Sequence, residues 1–397
     1  MGNLKTDKKL VKLTVGAFIN ENRDKREIEA AQEAGFDISV IAKGTSEKDK
    51  TWEQVDGFDV LRYKTKYINF LKLDFVNKVI SFFVWVFRIR KINDIYVLSC
   101  HDIIALSIGY LSTLFKQNKP KLIYDSHEFE IGRNIKRSKF MVFIITHLEY
   151  FLIKRSALTI VVNDSIADEL VKIHKLKERP LVIRNIPHYW HIDEAVCNER
   201  RKEFLNLLHR KDEPFILMYH GGIMPNRGIS TLIKIVVNTE NTVAVILGEG
   251  TESNMLKIRK VIQQEEVTDR VLLHPFVPYD KIWQYVGAVD LSVIISPPSI
   301  RSYFLSLPNK LFENIQSLTP IIASDFPELS RIIDGYKIGI TVNPLDKGEI
   351  ILAVNKMQND KKFYLQCKEN IKHAKEELCW KNEKRKLVET YEKLYHE

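Results

Sequence analysis

Cysteine, proline and glycine are scarce in this chain of 397 residues, which has 4 Cys, 13 Pro and 16 Gly. So little proline and glycine excludes collagen-like and low-complexity chains. The cysteines are widely spread and none has CxxC spacing, which excludes a zinc ribbon or a disulfide framework and indicates a reducing compartment. They are Cys100, Cys197, Cys367 and Cys379.

Long hydrophobic runs are also missing. The longest strongly apolar stretch covers residues 79–87, whereas a membrane-spanning helix needs about 20 such residues. The N-terminus places basic residues before an apolar run, as a signal peptide does. That run is short and lacks a small-residue cleavage site, so we predict a strand there and a cytoplasmic protein.

Short β-branched segments alternate with amphipathic ones along most of the chain, as is typical of βαβ units around parallel sheets. Helices are predicted near 24–34, 102–115 and 138–155. Predicted strands of the first half span residues 10–18, 37–42, 94–99, 121–125, 158–162 and 181–184. The second half repeats the pattern, with strands at 215–220, 242–247, 270–274, 290–295, 320–323 and 339–342. The sequence therefore predicts an α/β protein with two doubly wound domains.

The predicted boundaries follow from this alternation. We expect a first domain at 1–187, a polar linker at 188–213, a second domain at 214–375 and a C-terminal helix at 376–397 that packs back on the first domain. The whole net charge of +9 falls on residues 1–187, which hold 32 Lys and Arg against 23 Asp and Glu. The two domains are therefore expected to meet different partners.

Glycines and charged residues follow the strands of the second half, where open α/β sheets bind ligands. Glycine lets a backbone approach a ligand closely, and a helix N-terminus presents N–H groups to an anion. Glu313, one turn inside a predicted helix, can accept hydrogen bonds from a ribose diol. We interpret the set as a site for a phosphorylated nucleoside, the alternative being ordinary tight βα turns. Its members are Gly221, Gly222, Arg227, Gly228, Gly248, Gly250, Lys310 and Glu313.

These segments resemble the retaining GT-B glycosyltransferases of family 4, and the resemblance covers nearly the whole chain. The GG-x4-RG segment at 221–228 resembles the loop that holds the donor diphosphate, with Arg227 where the family usually has Lys. Residues 308–313 and 320–324 resemble the family's most recognisable segment, in which Glu313 is the second glutamate of a pair. Residues 124–128 resemble a strand-end motif whose histidine, His127, faces the donor sugar.

The resemblance implies specific roles. It makes His127, Arg227, Lys310 and Glu313 the catalytic residues. Main-chain amides near Ser306 and Asn309 are expected to replace two family groups that are missing here, because Gly222 stands for an arginine and Leu305 for the first glutamate. The remaining donor-binding candidates are Gly221, Gly222, Gly248, Gly250, Phe276, Val277, Ser306, Pro308, Asn309 and Leu311.

In fold, the resemblance implies GT-B, with two Rossmann-like domains that face each other across a cleft. In function, it implies transfer of a sugar from a nucleotide-sugar, with a UDP-sugar expected, to a surface polysaccharide, glycolipid or lipid-linked acceptor. The transfer would proceed with retention and without a metal or other cofactor. A nucleotide-sugar epimerase and a catalytically inactive nucleotide-sugar-binding relative remain alternatives. A dehydrogenase is disfavoured because no GxGxxG follows the first strand.

The basic first domain is expected to receive the acceptor. Basic residues alternate with aromatic ones between positions 62 and 91, and a second basic cluster precedes residue 140. Such a mixture suits an anionic membrane surface on the inner face of the cell membrane. The alternative is a buried helix at 79–87 with solvated flanking charges, whereas nucleic acid is not expected, since no binding motif accompanies the charge. The acceptor-side or membrane candidates are Arg62, Lys72, Trp85, Arg88, Arg133 and Arg137.

His101 and Asp102 also follow a strand. They are candidates for the same site, but an N-cap role for Asp102 is the favoured interpretation.

Overall fold

The computed structural model describes residues 8–18, 22–44, 50–55, 57–63, 74–133 and 137–396. The chain divides into two compact units. Residues 1–184 and 383–397 belong to unit 1, and residues 185–382 belong to unit 2.

Unit 1 is built on an eight-stranded sheet. Its strands are β1 (Lys9–Leu13), β2 (Asp37–Lys43), β3 (Lys50–Val55), β4 (Phe58–Tyr63), β5 (Val97–His101), β6 (Lys121–Ser126), β7 (Leu158–Val161) and β8 (Leu181–Val182). Their order is β3-β4-β2-β1-β5-β6-β7-β8, and only β3 runs antiparallel to its neighbour. The hairpin of β3 and β4 was not predicted, because the edge strand β3 is largely polar and exposed.

The helices that begin in this unit are α1 (Asn22–Glu33), α2 (Asp74–Arg90), α3 (Asp102–Thr113), α4 (Lys139–Ile153) and α5 (Asp164–His174), with a 3-10 turn at Glu130–Gly132. The C-terminal helix, Trp380–His396, is numbered α15, and from Glu383 onward it clusters with unit 1. There the Tyr395 ring stacks edge-on against Phe36 with 5.1 Å between centroids, and Lys121 Nζ donates to Leu394 O at 3.3 Å.

Unit 2 has an all-parallel six-stranded sheet in the order β11-β10-β9-β12-β13-β14. Its strands are β9 (Phe215–His220), β10 (Thr242–Leu247), β11 (Val271–His274), β12 (Leu291–Ile294), β13 (Ile321–Ser324) and β14 (Gly339–Val342). Its helices are α6 (Glu194–Leu207), α7 (Ile229–Val237), α8 (Glu252–Gln264), α9 (Ile282–Val286), α10 (Arg301–Phe304), α11 (Asn309–Gln316), α12 (Pro327–Tyr336), α13 (Lys347–Asn359) and α14 (Lys361–Glu377), with a 3-10 turn at Tyr279–Lys281. Both units are doubly wound α/β folds.

The stretch 188–213, expected to be an irregular linker, contains the helix α6 and belongs to unit 2. The Asp193 side chain caps this helix by accepting from Ala195 N at 2.9 Å. Only Cys197, Phe204 and Leu205 of α6 are buried. So few buried positions leave a weak hydrophobic period, which explains why the helix was missed.

Candidate functional site

Backbone segments press together at the carboxyl ends of β9 and β10, and glycines make this possible. Gly221 and Gly248 adopt φ values of 115° and 150°. A Cβ on Gly248 would lie 2.0 Å from Gly221 O, and one on Gly250 would lie 2.4 Å from Ile223 O. Side chains at positions 248 and 250 would therefore force these two loops apart.

Gly222 is different. A Cβ at this position would meet only the tip of Met224, at 3.7 Å, and the residue is exposed. The site therefore has room for a side chain where the family usually carries an arginine, and the glycine is not needed for packing.

Two cations lie next to these loops in unit 2. Lys310 Nζ lies 3.8 Å from the centre of the Tyr219 ring, and the Arg227 guanidinium lies 4.8 Å from the centre of the Tyr303 ring. Within the described residues neither cation forms an ion pair, and Arg227 Nε is buried without a hydrogen-bond partner. Burial and, secondarily, the Arg227 charge lower the pKa of Lys310 to about 7. Because neither cation has a direct ion pair among the described residues, this positive charge favours an anionic ligand.

Helix α11 adds its N-terminus to the same region. Pro308 is the N-cap and supplies no side-chain cap, so the N–H groups of Asn309 and Lys310 are available, whereas Leu311 N donates to Pro308 O at 3.0 Å. Asn309 is the first helical residue, and its Oδ1 accepts from Asn185 Nδ2 at 2.9 Å. Leu311 is fully buried and anchors the helix in the core of unit 2. A phosphate is a ligand that such a helix end can bind.

One turn inside α11, Glu313 meets a residue that the sequence analysis missed. Glu313 Oε2 lies 2.9 Å from Nε2 of His220, the last residue of β9. His220 is 2% exposed and its Nδ1 has no partner in the described part of the chain. The available signal was a histidine at a strand end immediately before the glycine pair.

The segment before α11 fulfils the sequence expectation only in part. Leu305 is buried and carries no carboxylate, so position 305 does not supply the family's first glutamate. The Ser306 amide donates to Tyr303 O at 3.1 Å and its hydroxyl donates to the same oxygen at 2.8 Å. The Ser306 amide is therefore already used and is not free to replace a missing donor group. Asn309, at the helix start, keeps its amide available.

The residues after β11 present an aromatic surface. Phe276 is 57% exposed, whereas its neighbour Val277 is buried in the core. An exposed ring beside a strand end provides a flat apolar face on which a nucleobase can stack. The donor-binding role of both residues stays a prediction.

In unit 1, a buried ionic cluster surrounds Lys12 of β1. Lys12 Nζ lies 3.1 Å from Asp24 Oδ1 and 3.0 Å from Asp125 Oδ2, and it also contacts Glu27. Arg23 Nη2 lies 3.1 Å from Asp125 Oδ1. These carboxylates and His127 are grouped closely enough to ligate a metal. However, the Lys12 ammonium lies among them and already supplies the positive charge, so the cluster does not fit a metal ion.

Two histidines cover this cluster. His127 Nε2 lies 2.8 Å from Asp125 Oδ2 and 3.1 Å from Arg23 Nε. The His101 ring lies against His127, with 3.6 Å between centroids, and His101 Nδ1 is 3.2 Å from Asp24. Burial alone would lower the pKa of His101, but the hydrogen bond and charge of Asp24 raise it to about 9. The imidazole of His101 is therefore mostly protonated at neutral pH.

A cavity of about 550 Å³ opens beside His101, lined by Asp102, Glu130, Arg133 and Arg137 among others. Asp102 is not the N-cap that was considered, because it is the first residue of α3 with φ 68° and His101 occupies the cap position. A non-glycine residue with such a φ is strained, and strain of this kind is often found at ligand sites.

Two of the residues predicted for the acceptor side or the membrane are buried, so a membrane contact through them is wrong. Arg62 is 3% exposed, pairs with Glu53 and donates to backbone oxygens. Trp85 is 2% exposed, with its ring packed edge-on against Tyr63. Trp85 is buried because that side of α2 lies against Tyr63 of β4. The alternative of a buried helix holds only in part, since Phe83 and Phe87 on α2 are exposed. Lys72 lies outside the described residues.

The other three predicted basic residues are held by neighbours in unit 1. The Arg88 guanidinium lies 4.8 Å from the centre of the Tyr63 ring. Arg137 pairs with Glu130 at 2.6 Å, and Arg133 pairs with Glu128 at 2.9 Å. Arg133 and Arg137 also line the cavity beside His101.

An apolar surface does exist on α4. No described helix has the length and hydrophobicity needed to cross a bilayer. Nevertheless, α4 exposes seven large side chains, its flanking residues include Lys154 and Arg155, and its single acid, Glu149, is buried. The exposed side chains are Phe140, Met141, Phe143, Ile144, Leu148, Tyr150 and Phe151.

Two protein-family models match this chain. The glycosyltransferase family 4 model matches residues 25–186, and the glycosyl transferases group 1 model matches residues 199–374. Together they cover most of the chain. No curated protein sequence matches it significantly.

Solved structures resemble the chain over nearly its full length. Sucrose-phosphate synthase from Thermosynechococcus elongatus has a TM-score of 0.77 at 16% identity, covering 98% of this chain and 99% of that one. Anabaena HepE, solved with UDP and glucose, has a TM-score of 0.74 at 14% identity, with coverage of 96% and 99%. The lipopolysaccharide outer core galactosyltransferase WaaB has a TM-score of 0.64 at 13% identity, covering 94% of this chain and 97% of that one. These likenesses confirm the predicted GT-B fold, and with the two family models they identify the chain as a retaining glycosyltransferase of family 4 that uses a nucleotide-sugar donor.

Proposed function

We propose that the chain transfers a sugar from a UDP-sugar to a cell-surface polysaccharide, glycolipid or lipid-linked acceptor. The observation that carries the proposal is the pair of cations in unit 2. Arg227 and Lys310 each lie over an aromatic ring, and neither forms an ion pair within the described residues. A donor diphosphate supplies the negative charge that this pair lacks.

The diphosphate binds to Arg227, Lys310 and the first turn of α11. The bond between the anomeric carbon and the phosphate oxygen breaks, and a bond to the acceptor hydroxyl oxygen forms on the same face of the sugar. The O–H bond of that hydroxyl breaks, and its proton passes to the departing phosphate oxygen. The leaving nucleoside diphosphate gains negative charge as its bond breaks. Fixed cations that point at this developing charge stabilise the transition state more than the ground state.

The nucleoside binds farther along the same edge. Glu313 accepts hydrogen bonds from the ribose diol, and the base stacks near Phe276. We choose uracil as the base because the HepE structure, which has the same fold, holds UDP. In unit 1, His127 keeps the catalytic role that the family resemblance implies, and the cavity lined by Asp102, Arg133 and Arg137 receives the acceptor.

The test is turnover with a panel of donors. UDP, ADP and GDP sugars are incubated with the enzyme and with bacterial membrane or polysaccharide extracts, and release of the nucleoside diphosphate is measured. We expect acceptor-dependent release from a UDP-sugar and an unchanged anomeric configuration by NMR. Isomerisation of the donor without acceptor would instead indicate an epimerase. Binding of UDP with no release under any condition would indicate an inactive relative.

We further propose that α4 holds the enzyme on an anionic membrane surface, where a lipid-linked acceptor resides. Phe140, Ile144, Leu148 and Phe151 recur at helical spacing on one face and are all exposed. Lys154 and Arg155 lie just after the end of the helix, where they can contact lipid phosphates. An amphipathic helix of this composition lies in the membrane interface without crossing the bilayer.

Vesicle sedimentation tests the membrane proposal. We expect the wild type to pellet with phosphatidylglycerol vesicles more than with phosphatidylcholine vesicles, and the double variant Phe140→Asp/Ile144→Asp to remain in the supernatant. Leu352→Asp/Leu365→Asp is the matched control, because these two leucines of unit 2 are also exposed apolar side chains on helices. Equal pelleting with both lipids, or equal loss in the control, would contradict the proposal.

A further inference from the structure

His220 holds a carboxylate that we assign to the donor site. It ends β9 directly before Gly221, and its Nε2 lies 2.9 Å from Glu313 Oε2. Glu313 belongs to α11, so this contact ties the strand end to the helix. An ionised carboxylate only accepts hydrogen bonds, so His220 must donate from Nε2–H.

The other ring nitrogen of His220, Nδ1, is buried and forms no hydrogen bond among the described residues. A buried polar atom without a partner lowers stability, and an apolar residue of similar size would avoid this cost. The contact from Nε2 is therefore the one polar interaction that this histidine side chain makes among the described residues.

That contact determines how Glu313 is presented. Oε2 is fixed by His220, whereas Oε1 has no hydrogen bond within the described residues. The Glu313 side chain remains 12% exposed, so a ligand can reach it. A carboxylate held at one oxygen keeps a single orientation before the ligand arrives. Binding therefore costs less side-chain entropy than it would for a flexible glutamate.

We propose that His220 is a positioning residue, which orients the Glu313 carboxylate for the two hydroxyls of the donor ribose. One hydroxyl donates to Oε1 and the other to the remaining lone pair of Oε2. The inference rests on the proposed donor site. Its distinctive consequence is that His220 affects recognition of the ribose and leaves recognition of the diphosphate unchanged.

Two substitutions separate the geometry of His220 from its bulk. In His220→Gln, the amide nitrogen lies near the position of Nε2 and can still donate to Glu313. In His220→Asn, the shorter amide reaches only the region of Nδ1. The probes are UDP, 2′,3′-dideoxy-UDP and inorganic pyrophosphate, with dissociation constants measured by calorimetry.

We expect the wild type and His220→Gln to prefer UDP over the dideoxy compound by about 10-fold or more, as for hydrogen bonds to a charged group. In His220→Asn this preference should fall to about 2-fold or less, while pyrophosphate binding stays unchanged. In a Glu313→Ala background, His220→Asn should cause no further loss, because the two residues act as one unit.

The outcomes distinguish the inference from the proposed function. If Glu313→Ala abolishes the ribose preference but His220→Asn keeps it, the positioning role is overturned and the donor site stands. If the wild type itself lacks the preference, the ribose assignment of Glu313 fails. A side-chain NMR spectrum needs no substitution of His220: a dominant Nδ1–H tautomer would also overturn the inference.

Discussion

The ammonium group of Lys310 lies 3.8 Å from the centre of the Tyr219 ring. Tyr219 is fixed in turn, because its hydroxyl donates to Gly222 O at 2.7 Å. The lysine thus lies against a ring that is tied to a loop, and no carboxylate of the described residues forms a direct ion pair with it, although the Glu313 charge acts on it from farther away. Its pKa of about 7 reflects burial and the nearby Arg227.

Binding of UDP should take up a proton above pH 7. Near pH 8 most Lys310 is neutral in the free protein, and a bound diphosphate raises its pKa and recruits the proton. The dissociation constant should therefore rise by up to about 10-fold per pH unit above pH 7. Calorimetry at pH 8 in two buffers of different ionisation enthalpy measures this uptake directly. Equal apparent enthalpies in both buffers would rule out the linkage.

Replacing Lys310 should stabilise the unliganded protein. Between pH 7 and 10.5 the unfolded chain binds a proton that folded Lys310 lacks, so folding carries a penalty that is largest at and below pH 7 and fades toward pH 10.5. Lys310→Met should gain about 1–2 kcal/mol at pH 7, or a few degrees in Tm, with a smaller gain at pH 10. Calorimetric scanning checks this.

Lys356→Met is the matched control for that experiment, because Lys356 also lies over a ring in unit 2, 4.1 Å from the centre of Phe363. It should show no such pH-dependent gain. A Lys310→Met protein that is less stable than the wild type at pH 7 would show that the lysine is not a strained cation.

The glycines should differ sharply in their tolerance of alanine. Gly248→Ala places a methyl group 2.0 Å from Gly221 O, at a residue with a φ of 150°. We expect the free energy of unfolding to fall by more than about 2 kcal/mol, and donor binding to be lost as well. Gly222→Ala meets only Met224 at 3.7 Å and should change stability by less than about 0.5 kcal/mol. Chemical denaturation of both variants tests the contrast, and similar losses would contradict the loop geometry.

Loss of the ion pair between His101 and Asp24 should make unit 1 less stable at alkaline pH. The pKa of His101 is raised from its ordinary value near 6.5 to about 9, so its contribution is complete below pH 6.5 and is lost as pH rises through 9. The stability difference between wild type and His101→Gln should shrink across this window.

Thermal unfolding between pH 6 and 9.5 measures that difference. His373→Gln serves as control, since His373 is 72% exposed and pairs only with Glu377 among the described residues. A constant difference between wild type and His101→Gln across the range would exclude the coupling to Asp24.

The parts of the fold predicted from sequence are those with strong local patterns. Buried strands such as β9 and β10 have continuous apolar runs, and the glycines after them mark the ligand edge. The α6 helix was missed because few of its residues are buried. For a related reason, Arg62 and Trp85 were predicted to lie at the surface, although both are buried. Composition cannot tell which face of a helix or strand points into the core.

The partners of the site residues also lay beyond the sequence. Lys12 and Asp125 are 113 positions apart yet contact each other, and His220 meets Glu313 from 93 positions away. Such pairs form because the fold brings distant strand ends, and the helices that follow them, to the carboxyl edge of a parallel sheet. Motif resemblance identified Glu313, whereas its neighbour His220 required the structure.

The most direct test is calorimetric titration of UDP into the wild type, Arg227→Met, Lys310→Met and the control Lys356→Met at pH 7. Removing either cation from the diphosphate should weaken UDP binding by about 10- to 100-fold, as for a charged hydrogen bond, and Lys356→Met should bind like the wild type. If Arg227→Met and Lys310→Met both bind UDP as tightly as the wild type does, the donor site in unit 2 is wrongly placed.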